Sequence, residues 1–187
     1  MITDFWAAYN HVTTRKRQLC LVHLLRELEK VDLHNSSPPW IDFRDRLKAL
    51  LKKAMLLAKE QHLPPEEFAC RRQELDLDLD RLLTNPADDP DTWRLFKRVR
   101  HYRYDLFTFL DEEGVTPDNN HAEREIRPAV LMRKNSFHNM SPDGAHTQAI
   151  LMTIYRTLQR RRLHPLEVLT ETLRSYVSTG SLPHLPD

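Results

Sequence analysis

The chain has 187 residues, a formal net charge of +1 and 40% hydrophobic side chains, enough for one domain with a sizeable core or a domain with an appendage. Three Gly against twelve Pro argue against a strand-rich fold and against any Gly-rich phosphate loop, and two cysteines cannot build a disulfide framework, so Cys20 and Cys70 are expected as free thiols. No apolar run approaches the ~18 residues of a membrane span and no charged-then-apolar leader opens the chain, so no membrane contact and a cytoplasmic location are expected.

Met1 to Asn10 reads as the end of a strand delivering Asp4, followed by a short helical turn through Trp6, Ala7 and Ala8. Arg17 to Leu21 is expected as a second strand, and a helix from about Val22 places Leu21, Leu24, Leu25, Leu28 and Val31 at steps of three and four. Ser36-Ser37-Pro38-Pro39 ends that region and opens a helix marked by Trp40, Phe43, Leu47, Leu50, Ala54 and Leu57. Pro64-Pro65-Glu66-Glu67 opens a third, with its acids well placed for the helix dipole and Leu75, Leu79 and Leu82 as its buried stripe. Asn85-Pro86 and Asp89-Pro90 break the chain before a fourth helix carrying Trp93, Phe96, Val99, Leu106 and Leu110. Gly114 and Pro117 separate this from a helix that Pro128 is expected to end or bend after about two turns. Two more helices follow, around Ala149, Met152, Tyr155 and Leu158, and from Pro165 with Leu166, Leu169, Leu173 and Tyr176.

The small net charge hides an asymmetry. Between Glu60 and Asp91 ten acids face three arginines, whereas between Asn119 and His164 eight Lys or Arg face three acids. A phosphate backbone would be drawn to the second segment; two solvated faces of opposite sign would look the same.

Within that basic segment, Pro117-Asp118-Asn119-Asn120-His121-Ala122-Glu123-Arg124-Glu125-Ile126-Arg127-Pro128 gathers amides, acids and arginines at a helix start. Asp118 or Asn119 can cap the helix, Glu123 falls in its early turns, and Arg124 and Arg127 lie within reach of whatever a carboxylate there would hold. A metal ion with a phosphate is the natural guest. Two-metal phosphoryl transfer gathers carboxylates from distant parts of a chain around cations ~4 Å apart, and Asp4 at a strand end with Glu123 on a helix are suitable in type. Among 27 acids, spacing alone does not single this pair out. Arg133, Lys134 and Asn135 are expected on a loop where they can meet phosphate oxygens, and Arg156 with Arg160, Arg161 and Arg162 would extend that track or simply complement a helix end.

Other motifs are weaker. Cys20-x-x-His23 suits a shared zinc ion, but structural zinc needs about four ligands and no second pair is present, so a buried thiol ending a strand with a His packed below it is the simpler account. Asp76-Leu77-Asp78-Leu79-Asp80 has the start of a calcium loop, but Arg81 replaces the turn glycine and Ala87 the bidentate Glu, which excludes calcium and leaves the acids in solvent.

The Asn119-Asn120-x-Ala122-Glu123-Arg124 core, followed by Ile126-Arg127-Pro128 and Arg133-Lys134-Asn135-Ser136, resembles the acid-bearing helix of transposases of the insertion sequence 66 family. The resemblance reaches back to Thr3-Asp4-Phe5-Trp6-Ala7-Ala8-Tyr9-Asn10 and Cys20-Leu21-Val22-His23-Leu24-Leu25-Arg26, and forward through Ser141-Pro142-Asp143-Gly144-Ala145; from about Asn35 to Asp111 only helical character matches. Such transposases use a ribonuclease-H-like core with an Asp-Asp-Glu triad. The resemblance places Asp4 on the second Asp and Glu123 on the Glu, with Glu125 as the rival; the first Asp has no counterpart here. It implies a Mg²⁺ site with Asp4 and Glu123 as ligands, Asn120 and Arg127 ordering it, Cys20 and His23 close by, and DNA held by Arg124, Arg133 and Lys134. The expected fold is mainly α, with an incomplete ribonuclease-H-like α/β core of about two strands in residues 1–34, a helical insertion in 35–112, the Glu-bearing helix and basic loop in 113–140, and C-terminal helices in 141–187. The implied partners are transposon ends and target DNA in a bacterial nucleoid, with homo-oligomerisation left open. The implied function is that of a fragment of a DNA transposase, inactive alone. A noncatalytic helical DNA-binding or assembly module is the alternative.

Overall fold

A computed structural model describes residues 1–60, 62–84, 88–135 and 139–186. The expected break at Asn85-Pro86, and Ala87, Ser136 and His138, lie outside the described residues. Helix makes up 69% and strand 2%, in agreement with a mainly α chain. The chain divides into two compact units, Met1–Glu123 and Arg124–Asp187.

The first unit starts with β1 (Ile2–Thr3), a 3-10 turn (Ala7–His11) and β2 (Gln18–Leu19). β1 and β2 pair in parallel, Ile2 against Gln18 and Thr3 against Leu19. Four helices follow: α1 (Leu21–Asp32), α2 (Pro38–Leu57), α3 (Pro65–Leu82) and α4 (Pro90–His101). Their starts are set by local chemistry. Ser37 Oγ accepts the Trp40 N–H to cap α2 and the Asp89 carboxylate accepts the Thr92 N–H to cap α4, each with proline in the first turn. The leucine stripes then meet in one core, in which Leu21, Leu24, Trp40, Leu47, Leu51, Leu75, Leu95 and Phe107 are essentially inaccessible. α2 is the hub, packing against α1, α3 and α4.

The acids of α3 differ from expectation. Asp76 pairs with Arg72, Asp78 with Lys53 and Arg81, and Asp80 with Arg103, so these carboxylates are partnered across the surface rather than merely hydrated. The fourth helix is also shorter than its apolar spacing suggested. It stops at His101, and a 3-10 turn (Arg103–Asp105) precedes the short α5 (Thr108–Asp111). The buried Gln18 explains the break: its amide donates to Leu106 O at 2.9 Å and accepts the Phe109 N–H at 2.9 Å. A continuous helix would have used those backbone groups internally.

α6 (Asn120–Asn135) crosses the boundary between the units and contains Pro128. Of the expected end or bend at Pro128, the end does not occur: α6 runs on to Asn135, continuing past the one N–H that proline removes from the ladder. The second unit continues with α7 (Pro142–Arg160), capped by Ser141, and α8 (Pro165–Thr179), which closes on Gly180 in the left-handed region at φ 73. Leu158 is its buried hydrophobic residue among those described; Leu166, Leu173 and Tyr176, which mark the period of α8, are exposed.

Candidate functional site

Parallel pairing fixes the first piece of geometry. Asp4 follows β1 and Cys20 follows β2, so both leave the carboxyl ends of their strands, the end where open α/β sheets present ligand-binding groups. The Cys20 N–H donates to Thr3 O at 2.8 Å, which places the residue after β2 beside the residue before Asp4. One oxygen of the Asp4 carboxylate accepts the Trp6 N–H at 3.0 Å, holding the chain as it turns away from the strand.

The segment leading into α6 is tied to the same end. The Leu21 N–H donates to Pro117 O at 2.9 Å and the Asn119 N–H to Cys20 Sγ at 3.3 Å. Asp118 accepts the Asn120 N–H at 2.9 Å, an aspartate turn that sets the helix start, and the Glu123 N–H donates to Asn119 O at 3.0 Å. Glu123 Oε1 then lies 3.5 Å from His23 Nε2, in the first turn of α1, with both side chains partly exposed. Cys20 and His23 therefore act in different places: the thiol is fully buried and accepts a backbone N–H, and the imidazole faces the acid. His23 Nδ1 is buried without a hydrogen-bond partner.

Sequence reading missed the supports of the loop after Asp4. Phe5 packs edge-on against Tyr102, the residue after α4, with ring centroids 5.8 Å apart, under the Arg98 guanidinium. Asn10 donates to the Tyr102 hydroxyl at 3.0 Å, and Arg17 donates to Asn10 Oδ1 and Tyr9 O, both at 2.9 Å. Glu27 of α1 pairs with Arg94 and Arg98. A contact such as Asn10 to Tyr102, 92 residues apart, leaves no periodic signal in a sequence.

In the second unit, Glu125 receives Arg156 and Arg160, each at 2.8 Å, and these hydrogen bonds draw its carboxyl below the usual carboxylate range. Glu125 thus ties α6 to α7, and two arginines of the supposed basic track are neutralised by it. Arg124, Arg127, Arg133 and Lys134 are exposed and form no ion pair among the described residues. Arg133 and Lys134 sit in the last turn of α6, where cations complement the helix dipole, rather than on a loop.

The donor chemistry of Asp4 and Glu123 suits a hard divalent cation: carboxylate oxygens, partly exposed and so able to take part in an open coordination sphere. It supplies only part of a site. Among the described residues no group of three or more His, Cys, Asp or Glu is arranged to hold a metal ion. Nor is any helix there long and apolar enough to cross a membrane.

A short parallel strand pair with Asp4 after its first strand is thus followed, beyond a run of helices, by α6 carrying Glu123. Residues 1–147 match the family described as "Transposase IS66 family", and the chain belongs to that family. It is also 37% identical over 68 residues, 36% of this chain, to "Uncharacterized protein y4qI" of Sinorhizobium fredii (strain NBRC 101917 / NGR234), and the matched region spans 13% of the length of that relative. No solved structure matches.

Proposed function

We propose that this chain carries two acids, Asp4 and Glu123, of the metal-dependent strand-cleavage and strand-transfer site of a DNA transposase, on an incomplete ribonuclease-H-like core. The observation that carries the reading is the sewing of the Pro117–Glu123 segment onto the Cys20 turn, which ties the acid of α6 to the strand end bearing Asp4.

Asp4 and Glu123 would hold Mg²⁺. When bound, it would neutralise phosphoryl oxygens and lower the pKa of an attacking oxygen. His23 would orient Glu123 through the 3.5 Å approach, and the Trp6 N–H would leave one Asp4 oxygen free to ligate. Asn120, in the first turn of α6, and Arg127, four residues beyond Glu123, would order the scissile phosphate, while Arg124, Arg133 and Lys134 would neutralise DNA backbone. The nucleophile would be water in cleavage and a 3′-hydroxyl in joining. The Asp-Asp-Glu triad that the family resemblance implies has a further acid, which would be supplied from outside these residues.

The test is strand cleavage in Mg²⁺ by the chain supplemented with a segment bearing the first Asp. Glu123→Gln is expected to lower the rate by about a hundredfold or more. Full activity in that variant would remove Glu123 from the site.

A second reading, a noncatalytic assembly or DNA-binding module, is favoured by α8, where Leu166, Leu173 and Val177 are 70%, 60% and 85% exposed. Sedimentation at rising concentration tests it: a homo-oligomer abolished by Leu173→Glu supports the reading, and a monomer throughout opposes it.

A further inference from the structure

At the other end of β2 from Cys20, the first unit forms a cleft of about 530 Å³ lined by Arg15, Lys16, Arg17, Tyr104, Asp105 and Thr108. It is absent from the chemistry assigned to Asp4 and Glu123, and its walls are fixed. The Thr108 hydroxyl donates to Arg17 O, the Thr14 hydroxyl donates to Lys16 O at 2.9 Å, and Gln18 bolts the adjoining strand to Leu106 and Phe109. Lys16 is paired with Glu112 at 2.7 Å, and Arg17 spends two of its N–H groups on Asn10 and Tyr9.

Three groups in this cleft are left without a bonded partner. Arg17 Nε is buried and makes no hydrogen bond. Arg15 is exposed and makes no hydrogen bond or ion pair among the described residues, although its charge reaches Glu112. The Asp105 carboxyl, partly buried, makes no hydrogen bond there either; burial pushes its pKa up, against the opposing charges of Arg17 and His101. At the rim the Tyr104 ring is 83% exposed, with the Arg103 guanidinium 4.9 Å from its centroid. The open Tyr104 ring is a face on which a planar base can stack, and Arg15 in the same cleft is a cation without a bonded partner among the described residues.

We infer that this cleft is a binding site for a nucleotide of single-stranded DNA: Tyr104 stacks on an unpaired base, Asp105 accepts from the base edge, and Arg15 meets the adjacent phosphate. The volume suits one nucleotide with water. A duplex hides its base faces, so an isolated exposed ring selects for unpaired bases, and stacking accepts any of the four. The inference rests on the reading that the chain handles DNA, yet it concerns a place and a step independent of the metal ligands.

Fluorescence anisotropy of the 187-residue chain with a labelled thymidine oligomer, without metal, tests it. Tyr104→Ala is expected to weaken binding about tenfold and Tyr104→Phe to leave it within about twofold, since stacking and not the hydroxyl carries the contact. Arg15→Ala is expected to lower the slope of log K against log salt by about 0.7, the share of one phosphate on a single strand. The reading at Asp4 and Glu123 is tested by cleavage in Mg²⁺ and this one by binding without metal, so either can fail while the other stands. The Tyr104 and Arg15 side chains are exposed, and unchanged circular dichroism would confirm that the variants fold. Parent-like binding by Tyr104→Ala and Arg15→Ala, or equal affinity for a duplex with no effect of Tyr104→Ala, would overturn the proposal.

Discussion

The two units spend their apolar residues differently. In Met1–Glu123 most leucines of α1 to α4, with Trp40, Phe96 and Phe107, converge on one closed core, whereas in Arg124–Asp187 Leu158 alone of the described hydrophobic residues is buried and Ile126, Leu131, Ile150, Leu151, Leu166, Leu173 and Val177 remain open. The first unit therefore has what it needs to hold a site rigidly. The second is held more by hydrogen bonds such as Glu125 to Arg156 and Arg160 than by burial. The family motif straddles the boundary: Glu123 closes the packed unit, and the basic residues of α6 belong to the open one.

That contrast is broken most sharply by truncation. Trp40→Ala, which empties a fully buried site and loses the indole bond to Asp32 at 2.8 Å, is expected to destabilise the first unit by about 3–5 kcal/mol in chemical denaturation. Gln18→Ala leaves Leu106 O and the Phe109 N–H unpaired inside the protein and should cost about 2–3 kcal/mol. It should also loosen the Arg17 wall, visible as faster amide exchange at Phe109.

Asp89 sharpens the comparison through pH. Burial pushes its pKa up, but the Thr92 N–H, the Asn35 amide and the Ser37 hydroxyl outweigh this and bring it to about 2. A carboxyl lowered from its ordinary ~3.9 contributes stability that is fully present above that value and is lost as pH falls towards 2. Asp89→Ala should remove the cap, costing about 1–2 kcal/mol at neutral pH, and flatten the stability profile of the first unit between about pH 4 and 2. Leu173→Ala, in the open unit, is expected to shift stability by no more than about 0.5 kcal/mol. A large effect there would show that α8 is buried in an assembly.

Much of the first unit was readable because its signals are local. Ser37 and Asp89 stand before prolines at helix starts, and Leu75, Leu79 and Leu82 repeat at helical steps, so those boundaries follow from caps and period. The overlong fourth helix came from Leu106 and Leu110 keeping that period while Gln18, almost ninety residues upstream, claimed the intervening backbone. In α8, Leu166 and Leu173 fit a buried stripe, but periodicity reports an apolar face and says nothing about what covers it. For the candidate site, the residues around Glu123 were legible as a motif and Asp4 through family resemblance. The His23 approach to Glu123, the Asn119 bond to Cys20 and the Phe5–Tyr102 brace depend on tertiary placement that no spacing encodes.

The most direct measurement is Mn²⁺ titration of the isotopically labelled chain, with Mn²⁺ standing in for Mg²⁺ and amide line broadening as the readout. Selective broadening at Asp4, His23 and Asn119 to Glu123, lost in both Asp4→Asn and Glu123→Gln, is the predicted result. Broadening centred on the acids of α3 instead, or unchanged in the two variants, would contradict a shared metal site.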